Sequence, residues 1–194
     1  MDTARYVFAV LLVIFLPPAV AWWFIVHPFV GFWRRRGSVV TMSILATLLT
    51  AGILALFSIR RALVGPDLGY YPALLVLAGV LMSGALWIAV LRRRHLTFRV
   101  LAGIPEIEAE NGPEALLDEG IYARIRHPRY VEVVLGTWAY ALFSNYLGAY
   151  VVAALTVPLI HLVVLIEERE LVARFGDRYE SYRSRVPRYL PRRD

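Results

Sequence analysis

The stretch Gly120–Phe143, GIYARIRHPRYVEVVLGTWAYALF, sets three arginines, a histidine and a proline against a run that is apolar but for Glu132. Proline is tolerated in the first turn of a helix, where its missing N–H has no intrahelical partner to lose. An apolar helix therefore starts at Pro128, and the basic, aromatic segment before it sits at that helix's mouth. From Val133 to Ile166 there is no charged side chain. Residues 128–166 are too many for one membrane span and slightly few for two full ones. Ser144-Asn145, near its middle, is the one plausible turn. The reading is a helical hairpin, Pro128–Phe143 and Tyr146–Ile166, with a short first arm.

Upstream, Tyr6–Trp33, Gly37–Ile59 and Leu68–Leu91 are also free of charge. Each can supply the roughly 20 apolar residues that a spanning helix needs. Apolar residues make up 59% of the 194 and charged residues only 19%. A chain this short cannot hide that much apolar surface in a water-soluble core. We expect an all-α integral membrane protein of about five transmembrane helices, with a C-terminal helical hairpin and a cytoplasmic amphipathic tail helix. Residues 1–91 hold three of the spans: Tyr6–Val26 with a kink at Pro17-Pro18, Val39–Ile59, and Tyr70–Leu91. Residues 92–194 form a second region, with a polar segment, the hairpin and the tail. Ala19 and Ala21 resemble a signal-peptide cleavage site, but Trp22-Trp23-Phe24 continues the apolar run, so no leader is expected.

All 21 basic residues are arginine. The triplets Arg34-Arg35-Arg36 and Arg92-Arg93-Arg94 follow the first and third helices and so share a side. The positive-inside rule puts that side in the cytoplasm, against the weaker opposing pair Arg60-Arg61. The net charge of +6 reads as topogenic charge beside anionic lipid rather than as a nucleic-acid surface. The expected setting is a bacterial or archaeal cytoplasmic membrane, with the polar segment and the tail on the cytoplasmic side. In the tail, Leu171, Phe175, Tyr179, Tyr182 and Val186 form an apolar stripe at helical spacing. Such a helix lies on the membrane or caps the domain; Pro187 and Pro191 end it.

Several chemistries lack their residues. Cysteine is absent, which excludes disulfides, thiol nucleophiles and thiolate metal sites. His27, His95, His127 and His161 have no metal-ligand spacing, and no P-loop or dinucleotide-binding glycine motif is present. What remains is two polar clusters, GIYARIRHPRY entering the hairpin and Glu167-Glu168 leaving it. A short hairpin brings them together. Taken alone, Arg124, Arg126 and Arg129 read as topogenic charge, with Tyr122 and Tyr130 as interfacial anchors. His127-Pro128 with its flanking tyrosines and the distal glutamate pair reads as a functional site.

The pattern G-x-Y-x-x-x-R-H-P-x-Y, then a hairpin, then E-E-x-x-L-x-x-x-F-G-x-x-Y-x-x-Y-x-x-x-V-P-x-x-x-P resembles the isoprenylcysteine carboxyl methyltransferase family. The related phosphatidylethanolamine N-methyltransferases share its cofactor half. The resemblance covers residues 112–191. It implies an S-adenosylmethionine-dependent methyltransferase acting on a lipophilic small-molecule or lipidated acceptor within the lipid of a membrane, with no metal and no nucleic-acid partner. It implies that the cofactor is held by Glu114, Ala115, Leu116 and Leu117, by Gly120 and Tyr122, by His127, Pro128, Arg129 and Tyr130, and by Glu167 with Glu168 beside it. The residue types suit the ligand: carboxylates suit an ammonium and a sulfonium, and tyrosine faces suit a cation and an adenine.

The chain departs from the family pattern in ways that bear on the acceptor. Glu114 stands where the family has histidine. Val163 stands where the carboxyl methyltransferases have an arginine that grips the substrate carboxylate. Glu132 occupies a position that is usually small, and a carboxylate inside the membrane is a functional hypothesis by default. Glu167, Arg126 and Glu132 are thus the candidate catalytic groups, Arg126 or Arg129 being able to replace the missing guanidinium. The shift toward negative charge favours an amine or a neutral nucleophile as acceptor. His161, in the last membrane helix, is either a hydrogen-bonded interface residue or part of the site. The alternatives are a phospholipid or lipophilic-amine N-methyltransferase and, from another class, a non-catalytic lipid-binding membrane protein or a nicotinamide-dependent membrane reductase.

Overall fold

The structure is a computed structural model that describes residues 2–93 and 116–192. All regular elements among the described residues are helices. Helix α1 (Asp2–Val26) runs through Pro17-Pro18 without interruption and leads by a 3-10 turn into α2 (Val30–Arg36). Then follow α3 (Ser38–Ser58), the short α4 (Arg60–Val64) and α5 (Pro72–Arg93). A second 3-10 turn, Gly120–Ala123, precedes α6 (Pro128–Ser144), α7 (Leu147–Phe175) and α8 (Asp177–Arg185).

Helices α1, α3, α5 and α7 are long and apolar enough to cross a membrane. Helix α6 has 17 residues and rises about 25 Å, less than a hydrocarbon core of about 30 Å; it is the short arm expected of the hairpin. The molecule is an all-α integral membrane protein. Helix α1 is central, packing against α3, α6 and α7, while α5 lies along α6 in the most extensive helix pairing. Helices α3 and α5 bury only 11% of their most apolar windows. Their outward residues, such as Val39, Leu54, Val76 and Trp87, are the faces left to lipid.

One end of the bundle is tied by Arg5, whose side chain is buried. Its Nε donates to the carbonyl of Ser144 at 3.0 Å, and its Nη2 to the carbonyl of Gly69 at 2.6 Å and to the carboxylate of Asp67. Asn145 turns the hairpin in the left-handed region, φ 54°. Its amide nitrogen donates to the Gly69 carbonyl at 2.9 Å, and its amide oxygen accepts from the Tyr150 hydroxyl at 2.8 Å. The loop before α5 and the α6–α7 turn therefore share an end, and Arg93 closes α5 at the other. Close to this tie, α7 starts against α4 so tightly that a Cβ on Gly148 would lie 1.8 Å from the Leu63 carbonyl oxygen.

The expected second arm, Tyr146–Ile166, is too short. The helix continues to Phe175 because its hydrogen-bond ladder does not depend on where the bilayer stops, and Glu167-Glu168 sit inside it. The expected single tail helix is likewise two pieces. Gly176, at φ 52°, breaks the chain between α7 and α8. The apolar stripe survives the break: Leu171, Phe175, Tyr179, Tyr182 and Val186 converge with Leu116 in one cluster. The stripe packs on itself and on Leu116.

Candidate active site

The site is assembled from three strands of chain that meet where α6 begins. Gly120, at φ 58°, opens the 3-10 turn that carries Tyr122 inward. The backbone of the next segment is fixed by the tail: Arg126 N–H donates to the Pro187 carbonyl at 2.9 Å and His127 N–H to the Arg188 carbonyl at 3.1 Å. Pro128, fully buried, then starts α6. Helix α7 passes this point at Glu167-Glu168.

The two glutamates have different surroundings. Glu168 is 4% exposed, and both of its oxygens are hydrogen-bonded. Its Oε1 accepts from Arg126 Nη2 at 2.8 Å, from Arg188 Nε at 3.0 Å and faces His127 Nε2 at 3.1 Å; its Oε2 accepts from Arg188 Nη2 at 2.6 Å. Arg126 Nη1 goes on to the carbonyls of Arg183, at 2.9 Å, and Val186, at 2.5 Å. These contacts bind the tail to the hairpin mouth and tie both Glu168 oxygens into it. Glu167 is half-buried. Its Oε2 is shielded from solvent and accepts no hydrogen bond among the described residues; His127 Nδ1 stands 3.7 Å away. A buried carboxylate oxygen without a donor is costly to the protein alone and suits a cationic ligand.

Aromatic rings stand near Glu167. Tyr130 is buried, edge-on to Trp23 at 6.0 Å and 5.8 Å from the His127 ring. Arg129 lies over the face of Trp23, 4.1 Å from the ring centre, a cation–π contact. The Tyr122 carbonyl accepts from the Tyr182 hydroxyl at 2.7 Å. Burial holds the Tyr122 phenol well above its ordinary value; Arg92 pulls it down, and Glu167 pushes it up. Across the site, Glu132 is paired side-on with Arg92, Nε to Oε2 at 2.9 Å and Nη2 to Oε1 at 3.2 Å. Arg92 is 7% exposed and its Nη1 is buried without a partner among the described residues.

The structure thus brings together Tyr122, His127, Pro128, Arg129, Tyr130, Glu132, Glu167, Glu168 and Arg126. Leu116 faces the tail cluster, Leu117 is exposed, and Glu114 and Ala115 lie outside the described residues. The shift toward negative charge read from Glu132 does not hold, because Arg92 neutralises it. Val163 is buried in an apolar cluster with Tyr130, Ile160 and Val164. His161 hydrogen-bonds the Tyr189 hydroxyl through Nδ1 at 2.8 Å. Arg92, Arg188 and Tyr189 were not among the residues expected here. Arg92 reads as topogenic within its triplet, and its sequence signal was Glu132, a membrane carboxylate that required a cation. Arg188 and Tyr189 fill variable positions of the tail motif and carry no local signal.

An all-helical membrane bundle with a polar, aromatic site at the mouth of a short helical hairpin defines an integral-membrane protein of the class the motifs resemble. The chain belongs to the phospholipid methyltransferase family, whose model matches residues 73–178. It is 34% identical over 84 residues to the protein-S-isoprenylcysteine O-methyltransferase of Schizosaccharomyces pombe, covering 42% of this chain and 35% of that one. It is 34% identical over 71 residues to methanethiol S-methyltransferase 1 of Bradyrhizobium diazoefficiens, 37% of this chain and 24% of that one. The methanethiol S-methyltransferase of Crocosphaera subtropica is 33% identical over 84 residues, 43% and 32% of the two lengths. The matched stretch spans about a third or less of each of these relatives. No solved structure matches the chain.

Proposed function

We propose that the protein is an S-adenosylmethionine-dependent methyltransferase whose site faces the cytoplasm and whose acceptor is lipophilic. The observation that carries this reading is the Oε2 of Glu167, unpartnered among the described residues and set among Tyr122, Tyr130 and His127. The residues present fit the cofactor: a carboxylate with a vacant lone pair for a cation, tyrosine and tryptophan rings for an adenine, and a floor made by the Arg126–Glu168–Arg188 lock. S-adenosylmethionine supplies an already activated methyl group on a sulfonium. The chain therefore has to orient the two partners and exclude water. Glu167 holds the cofactor's cationic end, His127 and Tyr130 fix the carboxylate's position, and Glu168 with Arg126 positions the tail that closes the site. The relatives named above act on an isoprenylated cysteine and on methanethiol, and this supports a methyl acceptor that enters from the bilayer or is itself apolar.

Calorimetry on the full chain in detergent with S-adenosylhomocysteine tests the reading. Micromolar binding is expected. Its absence would favour a non-catalytic lipid-binding protein or a nicotinamide-dependent reductase.

A further inference from the structure

Among the described residues the site holds two buried polar atoms without partners, and they have opposite sign: Glu167 Oε2 and Arg92 Nη1. Glu132 grips Arg92 through Nε and Nη2. The guanidinium is planar and rigid, so this pairing fixes where Nη1 points and leaves its N–H groups facing away from Glu132. Helix α5 meets the Gly120–Ala123 turn at this point, and Arg92 and Glu167 both act on the Tyr122 hydroxyl. The other guanidiniums of the site are engaged, Arg126 and Arg188 by Glu168 and Arg129 by Trp23.

A lone buried donor on a cation asks for an anion. An amino-acid zwitterion offers a carboxylate and an ammonium a few ångströms apart. It enters a dry site cheaply only if both ends are met. We propose that Arg92, held by Glu132, is the specificity-determining residue for the α-carboxylate of the cofactor's amino-acid end, with Glu167 taking the ammonium. This rests on the cofactor reading above. It also explains why Glu132 stands in the first turns of α6: the carboxylate is the support that aims Arg92.

The test compares two ligands that differ only in the carboxylate, S-adenosylmethionine and its decarboxylated form, by calorimetry on the full chain in detergent without acceptor. Wild-type protein is expected to bind the carboxylate form at least tenfold more tightly. Arg92→Gln should lose at least tenfold for S-adenosylmethionine and change little for the decarboxylated ligand, whereas Glu167→Gln should lose affinity for both. If Arg92→Gln unfolds because Glu132 is stranded, Arg92→Gln/Glu132→Gln removes both charges and should show the same ligand selectivity. Equal wild-type affinity for the two ligands overturns the assignment, as does a folded Arg92 variant that weakens both ligands alike or neither. No binding of either ligand to wild-type protein overturns the function itself. Binding without discrimination overturns only the role of Arg92.

Discussion

Glu167 and Glu168 are neighbours on one helix and have opposite fates: Glu168 receives two guanidiniums and the His127 ring, and Glu167 keeps a buried oxygen with no donor among the described residues. Their isosteric variants should separate accordingly. Glu167→Gln should weaken cofactor binding or turnover at least tenfold, about 1.4 kcal/mol, with little change in the unfolding midpoint. Glu168→Gln should lower stability by about 3 kcal/mol or more, since it strands two buried or half-buried guanidiniums. Thermal unfolding and ligand calorimetry on both variants check this. Equal effects of the two would mean the glutamates are not divided in this way.

Gly148 sits where α7 abuts the Leu63 carbonyl, and no side chain fits there. Gly148→Ala forces α4 and α7 apart. Overpacking of a tight contact costs about 1–3 kcal/mol, and this one meets rigid backbone rather than a movable side chain. A clear fall in the unfolding midpoint in detergent is expected, and an unchanged midpoint would show that the two helices are not in contact.

The Arg5–Asp67–Asn145 tie and the Arg92–Glu132 pair lie at opposite ends of the bundle. The chain contains no cysteine, so single-cysteine labelling is clean. Tyr71→Cys, at a site 57% exposed beside the tie, should label from outside the cell. Arg93→Cys should label only after the membrane is permeabilised. The reverse pattern would invert the proposed orientation of the site.

The tyrosines under the tail predict a dependence on alkaline pH. Burial, and next the neighbouring Tyr179, raise the Tyr182 phenol well above 10; burial raises Tyr122 likewise. Unfolded, both phenols titrate near 10. Above that pH the unfolded chain has lost protons that the folded chain keeps, so stability is full below about pH 10 and falls as pH rises toward the folded values. Tyr182→Phe should flatten this fall. It should also cost about 1 kcal/mol at neutral pH for the lost bond to the Tyr122 carbonyl. Unfolding midpoints between pH 8 and roughly 11 measure both.

The acceptor follows from which charges are already spent. Val163 offers no cation, and Arg92 is assigned to the cofactor. A substrate carboxylate would thus enter without a partner, at a cost of several kcal/mol. In a methylation assay offering a farnesylated cysteine analogue, phosphatidylethanolamine, lipophilic amines and lipophilic thiols, methyl transfer is expected on an amine or thiol. Robust ester formation on the prenylcysteine would contradict it.

The spans and turns were legible because they depend on local rules. Val39–Ile59 and Tyr70–Leu91 read from charge alone agree with Ser38–Ser58 and Pro72–Arg93 to within two residues. Pro128 marks a helix start and Asn145 a left-handed turn, each through its own backbone chemistry. The end of α7 was not legible, since charge at residue 167 marks the edge of the apolar run and not the end of a helix. Pairings such as Arg92 with Glu132, 40 positions apart, or Arg5 with Asp67, have no periodic signature. Only the expense of an isolated membrane carboxylate hinted at the first of them.

The backbone link from residues 126–127 to residues 187–188 also imposes an order on biogenesis. Val186 follows Arg126 by 60 positions, with the whole hairpin between them. During synthesis the hairpin mouth must wait, its amide groups and guanidinium still hydrated, until both arms have inserted and the later segment has emerged from the ribosome. Closure of the site therefore reports that insertion succeeded. A nascent chain in which only one arm of the hairpin inserts leaves Arg126 and Glu168 on opposite sides of the bilayer, where quality-control proteases can recognise it.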